Sequence, residues 1–315
     1  MSEASPTRAG VIAVIGAPNA GKSTLVNRIV GAQVSIVTHK VQTTRFQVRG
    51  VAMRGHTQLV LIDTPGIFRP RRRLDRAMVR SAWAGASDAD AALHVVDAPA
   101  YARTLEGAGE GADARAFDDV AAIVKGLLAD RRQVILVLNK VDAMRRDRLL
   151  AVAQALHETG AYERVFMVSA AKGDGVEDLV AALVERAPEG PFLYDPEDIT
   201  DLPLRVLASE ITREKLFLRL HDEIPYEATV ETERWQDHKN GGVRIEQTIL
   251  VGRESHRAIT LGHNGQTLKA IGQAARAAIG ETIGRPVHLF LHVKVDESWS
   301  EQPARYARHG LEFDS

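Results

Sequence analysis

The sequence contains no cysteine, and that single absence excludes disulfides, thiolate zinc sites, iron–sulfur clusters and cysteine nucleophiles together. Aromatic residues are scarce, at 5%. An excess of one charge is also missing. The 40 Lys+Arg face 41 Asp+Glu for a formal net of −1, so any pull on nucleic acid or an acidic membrane must come from a local patch. No apolar run approaches the ~18 residues a membrane span needs. Met1–Gly10 is polar and has no signal-peptide core behind it. What remains is ordinary: 45% apolar and 26% charged residues over 315 positions, the profile of a soluble, cytoplasmic protein with two domains.

Five short apolar runs punctuate the first 170 residues, each ending in a polar residue or glycine. They are Val11–Ile15 before Gly16, Leu59–Ile62 before Asp63, Leu93–Val96 before Asp97, Val134–Leu138 before Asn139 and Val165–Val168 before Ser169. Runs of this length read as strands buried on both faces, and helical patterns lie between most of them, over Lys22–Val30, Asp75–Ala84, Val120–Ala129 and Arg146–Thr159. The fold expected is a doubly wound, mostly parallel α/β sheet, whose ligands lie at the carboxyl ends of the strands. Pro99–Ala116, rich in Gly and Ala and without periodicity, is expected to be a flexible surface insertion.

Prolines and acids then mark a linker over 188–203. A smaller α+β domain is expected over 204–300, in the order α-β-β-α-α-β, with tails at 1–8 and 301–315. Its first helix is expected to bury Leu204, Leu207, Ala208, Ile211 and Leu218. Its strands are Ala228–Trp235 and Val243–Val251, joined through Asn240-Gly241-Gly242, and a last one in which Val287, Leu289, Leu291, Val293 and Val295 alternate with His288, Phe290, His292 and Lys294. Gly262–Gly265 is expected as a short helix before one that turns Leu268, Ile271, Ala275 and Ala278 inward.

Gly16-Ala17-Pro18-Asn19-Ala20-Gly21-Lys22-Ser23 fits G-x-x-x-x-G-K-[ST] between a strand and a helix. Backbone N–H groups there close around phosphate, Lys22 reaches the β- and γ-phosphates, and the Ser23 hydroxyl binds Mg²⁺; Thr24 completes the nucleotide-binding segment. Asp63-Thr64-Pro65-Gly66 follows the next core strand. Alone it is an ordinary turn. After a phosphate loop it places a carboxylate for Mg²⁺ and the Gly66 N–H for a γ-phosphate. In Asn139-Lys140-Val141-Asp142 the last carboxylate can accept from the ring N–H and the exocyclic amine of guanine. Adenine has no such pair of donors, so the site selects GTP over ATP. Asn139 and Lys140 would brace that loop, and in Ser169-Ala170-Ala171 the Ala170 N–H could donate to the guanine carbonyl. The candidate nucleotide site therefore comprises 16–24, Asp63–Ile67, Asn139–Asp142, Ser169 and Ala170.

These motifs in this order resemble the TrmE–Era–EngA group of translation-factor-class GTPases. Glu210–Lys215, Glu223–Tyr226, Gly262-His263-Asn264-Gly265 and Pro286–Leu289 resemble the linking helix and type II KH domain of one branch of it. The resemblance implies a GTPase domain over 9–187 and a KH domain over 204–300. It also implies a Mg²⁺-binding threonine in Gln42-Thr43-Thr44-Arg45, with Thr44 the first choice and Thr43 the second. Many small GTPases carry a water-orienting glutamine after D-x-x-G. Here Ile67 stands in its place, and relatives with an apolar residue there are slow. The candidate catalytic set is Lys22, Thr44, Asp63, Gly66 and Asn19, the last resembling a residue that helps hold K⁺.

G-x-x-G is common by chance in a chain with 25 glycines, and its setting makes it a clamp for about four nucleotides. Asp195–Glu233 has 4 basic and 11 acidic residues, whereas Arg234–Lys294 has 9 basic and 4 acidic. Arg257, Gly262, His263, Asn264, Gly265, Lys269 and Arg276 form the candidate RNA site. His263-Asn264 lacks the lysine usual in the family loop. The switch arginines Arg69 and Arg71–Arg73 are expected to meet the acidic stretch in one nucleotide state.

By resemblance the chain is a monomeric GTP/GDP switch that binds the 3′ region of small-subunit (16S) rRNA. Its role is assembly of the small ribosomal subunit, with peripheral inner-membrane contact a family trait. The rivals are a metabolic kinase, an RNA-binding GTP sensor with negligible turnover, and a related GTPase acting on tRNA.

Overall fold

The computed structural model describes residues 6–40, 42–239, 241–308 and 310–313. The chain divides into two units. One joins the residues up to Ser35 to Thr44–Asp201, and the other joins Ile36–Thr43 to Leu202–Phe313.

The first unit is a six-stranded sheet of β1 (Arg8–Ile15), β2 (Val48–Arg54), β3 (Thr57–Asp63), β4 (Ala91–Asp97), β5 (Val134–Asn139) and β6 (Tyr162–Met167). The order is β2-β3-β1-β4-β5-β6, parallel except for the β2–β3 hairpin. Every residue of β3 and β5 is buried, as their unbroken apolar runs require. Helices α1 (Lys22–Val30), α2 (Arg73–Ser87), α3 (Ala98–Leu105), α4 (Ala112–Ala129), α5 (Arg146–His157) and α6 (Val176–Arg186) complete it. The strand order reverses at β1, which lies between β3 and β4. This is where such sheets open a ligand crevice.

Three expectations change here. The sequence pattern missed β2, an edge strand interrupted by Gly50, whose close approach to Val30 leaves no room for a side chain. Pro99–Ala116 is not a loose insertion. Asp97 caps α3 by accepting from the Ala100 N–H at 3.0 Å, Tyr101 stacks on Phe117 at 4.6 Å, and Arg103 pairs with Asp113 of α4. Gly107, Gly109 and Gly111 interrupt the chain only between the two helices. The expected linker, finally, is fastened to the first unit. The Gln58 carboxamide accepts from the Leu193 and Tyr194 N–H groups and donates to the Tyr194 carbonyl, and the Val51 N–H donates to Ile199 at 2.9 Å.

The second unit contains α7 (Leu204–Arg219), β7 (Ala228–Asp237), β8 (Val243–Val251), α8 (Glu254–Leu261), α9 (Gln266–Ile283), β9 (Val287–Val295) and α10 (Pro303–Arg308). The sheet order is β7-β8-β9, with β7–β8 antiparallel and β8–β9 parallel. Helices α7 and α9 cover one face through Leu207, Ile211, Leu216, Phe217, Ile271, Ala275 and Ile279. Leu204 and Leu218, expected inside, are exposed. The buried face of α7 instead takes in Glu210, Arg213 and Glu214, against which the segment Ile36–Thr43 folds. The helix before the G-x-x-G loop is α8, and the loop itself is one 3-10 turn, His263–Gly265. Within the matching segment Glu223–Tyr226, Glu223 holds the N-cap position of a 3-10 turn over Ile224–Glu227 that runs into β7. The β9 alternation is as expected. Asn240 of the β7–β8 turn lies outside the described residues.

Candidate nucleotide and nucleic-acid sites

The phosphate loop links β1 to α1. Gly21 holds φ +96°, and a Cβ there would lie 2.1 Å from the Asn139 side-chain nitrogen, so only glycine fits. Lys22 is buried and turns back on its own loop, donating to the Gly16 and Ala17 carbonyls at 3.2 and 3.0 Å. Burial lowers its pKa to about 8 against the opposing pull of Asp63. A phosphate entering the loop would offer that ammonium a stronger acceptor.

Beside it, the Ser23 hydroxyl donates to Asp63 at 2.7 Å and lies 3.0 Å from the Thr44 hydroxyl, which itself donates to Asp63 at 3.2 Å. Asp63 is fully buried and its second oxygen, Oδ1, has no partner. Desolvation raises its pKa. Two hydroxyls and a carboxylate with an unused buried oxygen are the hard oxygen donors that Mg²⁺ takes, so these residues fit that ion. Of the two threonines only Thr44 joins the cluster. The Thr43 hydroxyl donates to the Lys40 carbonyl at 2.7 Å.

The D-x-x-G turn packs against the phosphate loop. Thr64 Oγ1 donates to the Val14 carbonyl at 2.8 Å, the Ile67 N–H donates to Gly16 at 3.0 Å, and a Cβ on Gly66 would press on Pro18. Pro65 is buried with them. The Ile67 side chain lies in the core with Ala13, Ile15 and Ala17 and cannot hold a water. Asn19 is exposed at φ +62°, and Thr24 is half-buried on α1.

Asn139 braces three loops, donating to the Ala20 carbonyl at 2.8 Å and accepting from the Ala170 N–H at 3.0 Å. That N–H, expected to meet guanine, is thus engaged within the protein. The Val141 N–H donates to Val168, and Asp142 pairs with Lys172 at 3.3 Å. The Ser169 hydroxyl, then Lys172, lowers the Asp142 pKa, so the carboxylate is anionic and able to accept from guanine.

Lys140 donates to the Asn19 carbonyl at 2.8 Å and to Asp97. Asp97 went unassigned in the motif reading, although it ends one of the five apolar runs. Its register opposite Asn139 brings it to the base-reading loop. Arg28 was also missed: it donates to the Ala170 carbonyl at 3.1 Å and to that of Ala171. No motif signals it.

In the second unit the segment Ile36–Thr43 is tied to α7. Glu214 accepts from the Val37 N–H at 2.9 Å, Lys40 donates to the Phe217 and Leu220 carbonyls, and Arg213 donates to the Thr43 carbonyl. Arg213 is fully buried, paired with Glu210 and stacked over Phe217. Two acids of the segment expected to meet Arg69 and Arg71–Arg73, Glu210 and Glu214, are thus engaged here.

The G-x-x-G turn exposes His263 and Asn264, and Lys269 and Arg276 are exposed along α9. Arg257 pairs with Glu254 at 2.6 Å. Gly265 holds φ +76° with nothing near its missing side chain, so backbone and solvent meet there unobstructed. Among the described residues no three His, Asp or Glu gather as a metal site, and no helix is long and apolar enough to cross a membrane.

A 50S ribosome-binding GTPase family matches residues 11–140, and a KH domain family matches 223–300. The chain is 59% identical to the GTPase Era of Caulobacter vibrioides over 98% of both chains, and 53% identical to that of Maricaulis maris over the same share. Among solved structures, Era in complex with MgGDPNP and nucleotides 1506–1542 of 16S ribosomal RNA is 34% identical, with a TM-score of 0.85 over 96% of this chain and 99% of that one. A single-residue variant of Aquifex aeolicus Era bound to GDP and aluminium fluoride matches to the same extent. A P-loop GTPase domain followed by a KH domain, alike in sequence and fold across nearly the whole chain, places this GTPase in the Era family.

Proposed function

We propose that the chain is a GTP-driven switch that binds the 3′ region of 16S rRNA and acts in assembly of the small ribosomal subunit. The observation that carries this reading is the pairing, in one chain, of the Ser23–Thr44–Asp63 cluster with an open G-x-x-G turn. The neighbour of equal extent holds a GTP analogue and RNA together. We assign 9–187 to GTP and 204–300 to RNA. Lys22 and the loop N–H groups hold phosphate, Asp142 reads guanine, and Ser23, Thr44 and Asp63 hold Mg²⁺, which when bound supplies positive charge to the phosphates. Ile67 leaves the attacking water to other groups, so turnover is slow. We place a K⁺ requirement at Asn19, and rates equal in K⁺ and Na⁺ would refute that part alone.

Exchanging donor and acceptor at the base tests the assignment. Asp142→Asn should lose GTP and gain xanthosine triphosphate, and equal binding of ATP and GTP by the unmodified protein would overturn it. Crosslinking to cellular RNA should recover 16S rRNA rather than tRNA. We also place the protein in the cytoplasm as a monomer, with peripheral membrane contact, which sedimentation and membrane flotation would check.

A further inference from the structure

The face of the C-terminal sheet turned away from α7 and α9 carries the only aromatic side chain among the large exposed apolar residues described, Phe290 at 43%. Register sets Arg244 beside His288 and Glu246 beside Phe290, with Arg234 opposite Glu246. The Arg244 guanidinium lies 4.4 Å over the Phe290 ring, and Glu246 accepts from its Nε at 2.9 Å, fixing the plane. His238 meets His288 edge-on at 6.0 Å. A ring with an oriented guanidinium on it is a ready stacking surface, and nucleobases stack on aromatic rings and on arginine planes alike.

We propose that this open face is a second RNA contact, in which an unpaired base stacks on the Arg244–Phe290 pair while Arg234 and His288 meet the adjoining backbone. The inference rests on the RNA reading above. Charge favours RNA as the occupant, since Arg234, Arg244, His288, His292 and Lys294 stand on this face, with Glu246 and Glu233 among the acids beside them. Length does too: a G-x-x-G turn clamps roughly four nucleotides, so a longer rRNA segment needs further surface. The route is short. Strand β9 is the sheet edge packed beside α8 and α9, so RNA leaving the clamp along that edge arrives at the outer face of β9.

The test uses the full-length protein and two RNAs, one just filling the clamp and one spanning the rRNA 3′ segment, titrated by fluorescence anisotropy. Phe290→Ala should leave the short RNA unaffected and weaken the long one about tenfold, the size of one lost base stack. Phe290→Trp should restore it, and ultraviolet crosslinking of the long RNA should fall on the β9 peptide. Unchanged affinity for both RNAs overturns the proposal, and so does equal weakening of both, which would mean a disturbed fold. Lost binding to RNA-free ribosomal proteins with RNA affinity intact would give the face to a protein and overturn it as well. Gly265→Asp separates the two readings. If it weakens neither RNA, the clamp reading fails, whatever Phe290→Ala does.

Discussion

The two ligand regions treat their polar groups in opposite ways. Lys22, Thr44, Asp63 and Asn139 are buried, and they bond mostly to one another and to loop carbonyls. His263, Asn264, Lys269 and Arg276 stand in solvent on a turn and a helix face. A buried cluster recognises a small, fixed anion, because each group lacking its ligand bears a desolvation cost. An exposed surface recognises a long, variable polymer through charge and stacking, and salt weakens it.

The largest effects should separate these regions. Lys22→Ala should cut GTP turnover by a factor on the order of 10²–10³, as loss of a main transition-state donor does, and leave RNA affinity without nucleotide unchanged. Comparable turnover in the variant would remove Lys22 from the site. Gly265→Asp should cost one to two orders of magnitude in RNA affinity and none in GTP affinity without RNA. Space at Gly265 is open and Asp tolerates positive φ, so a folded variant is expected, which circular dichroism would verify.

Coupling is the next test of the comparison. Segment Ile36–Thr43 bonds to α7, and the next residue along the chain, Thr44, bonds to Ser23 and Asp63. If nucleotide state and RNA are linked through it, each must change the affinity of the other by one factor, typically 5–150-fold or about 1–3 kcal/mol. Lys40→Ala should shrink that factor. Reciprocal titrations that show no change in either direction would leave two independent binding units. Smaller again is Asp97→Ala, expected to weaken GDP binding about tenfold, or about 1.4 kcal/mol, through loss of the Lys140 brace. In an Asp97→Ala, Lys140→Ala double variant the two losses should fall short of additive, and full additivity would count against the brace.

What the sequence discloses follows the same division. The phosphate loop is built from neighbouring residues, and Asn139–Asp142 ends the fully buried β5, so pattern and spacing expose them. The run before Ser169 reads as buried on both faces, but it belongs to β6, an edge strand that is mostly half-buried or exposed. Asp97, Arg28 and Arg213 act across long separations on partners no local pattern links to them. Strand β2 escapes because its pairing with β3, rather than its own composition, makes it a strand. The insertion misreads as loose because alanine carries little periodic signal, although a capping aspartate opens it as a helix.

An effect of similar size, read on stability rather than on ligand affinity, concerns what the first unit buries beneath its site. His94, fully buried on β4, shares a hydrogen bond of 2.8 Å with the Tyr162 hydroxyl, while its Nε2 has no partner. Desolvation, with Lys22 adding repulsion, pushes its pKa down to about 3. An unfolded histidine titrates near 6.5, so between these values the unfolded chain binds the extra proton and the folded one does not. Stability is therefore whole above about pH 6.5 and falls as pH drops toward 3. From about pH 7.5 to about pH 5.5 this single group should remove about 1.4 kcal/mol, a few degrees in melting temperature. His94→Gln keeps a side chain able to bond Tyr162 but cannot take up the proton. Its melting temperature should fall less than that of the unmodified protein over the same interval, with the difference confined to the acid side. Parallel melting profiles for the two proteins would mean that His94 charges as readily inside the fold as outside it.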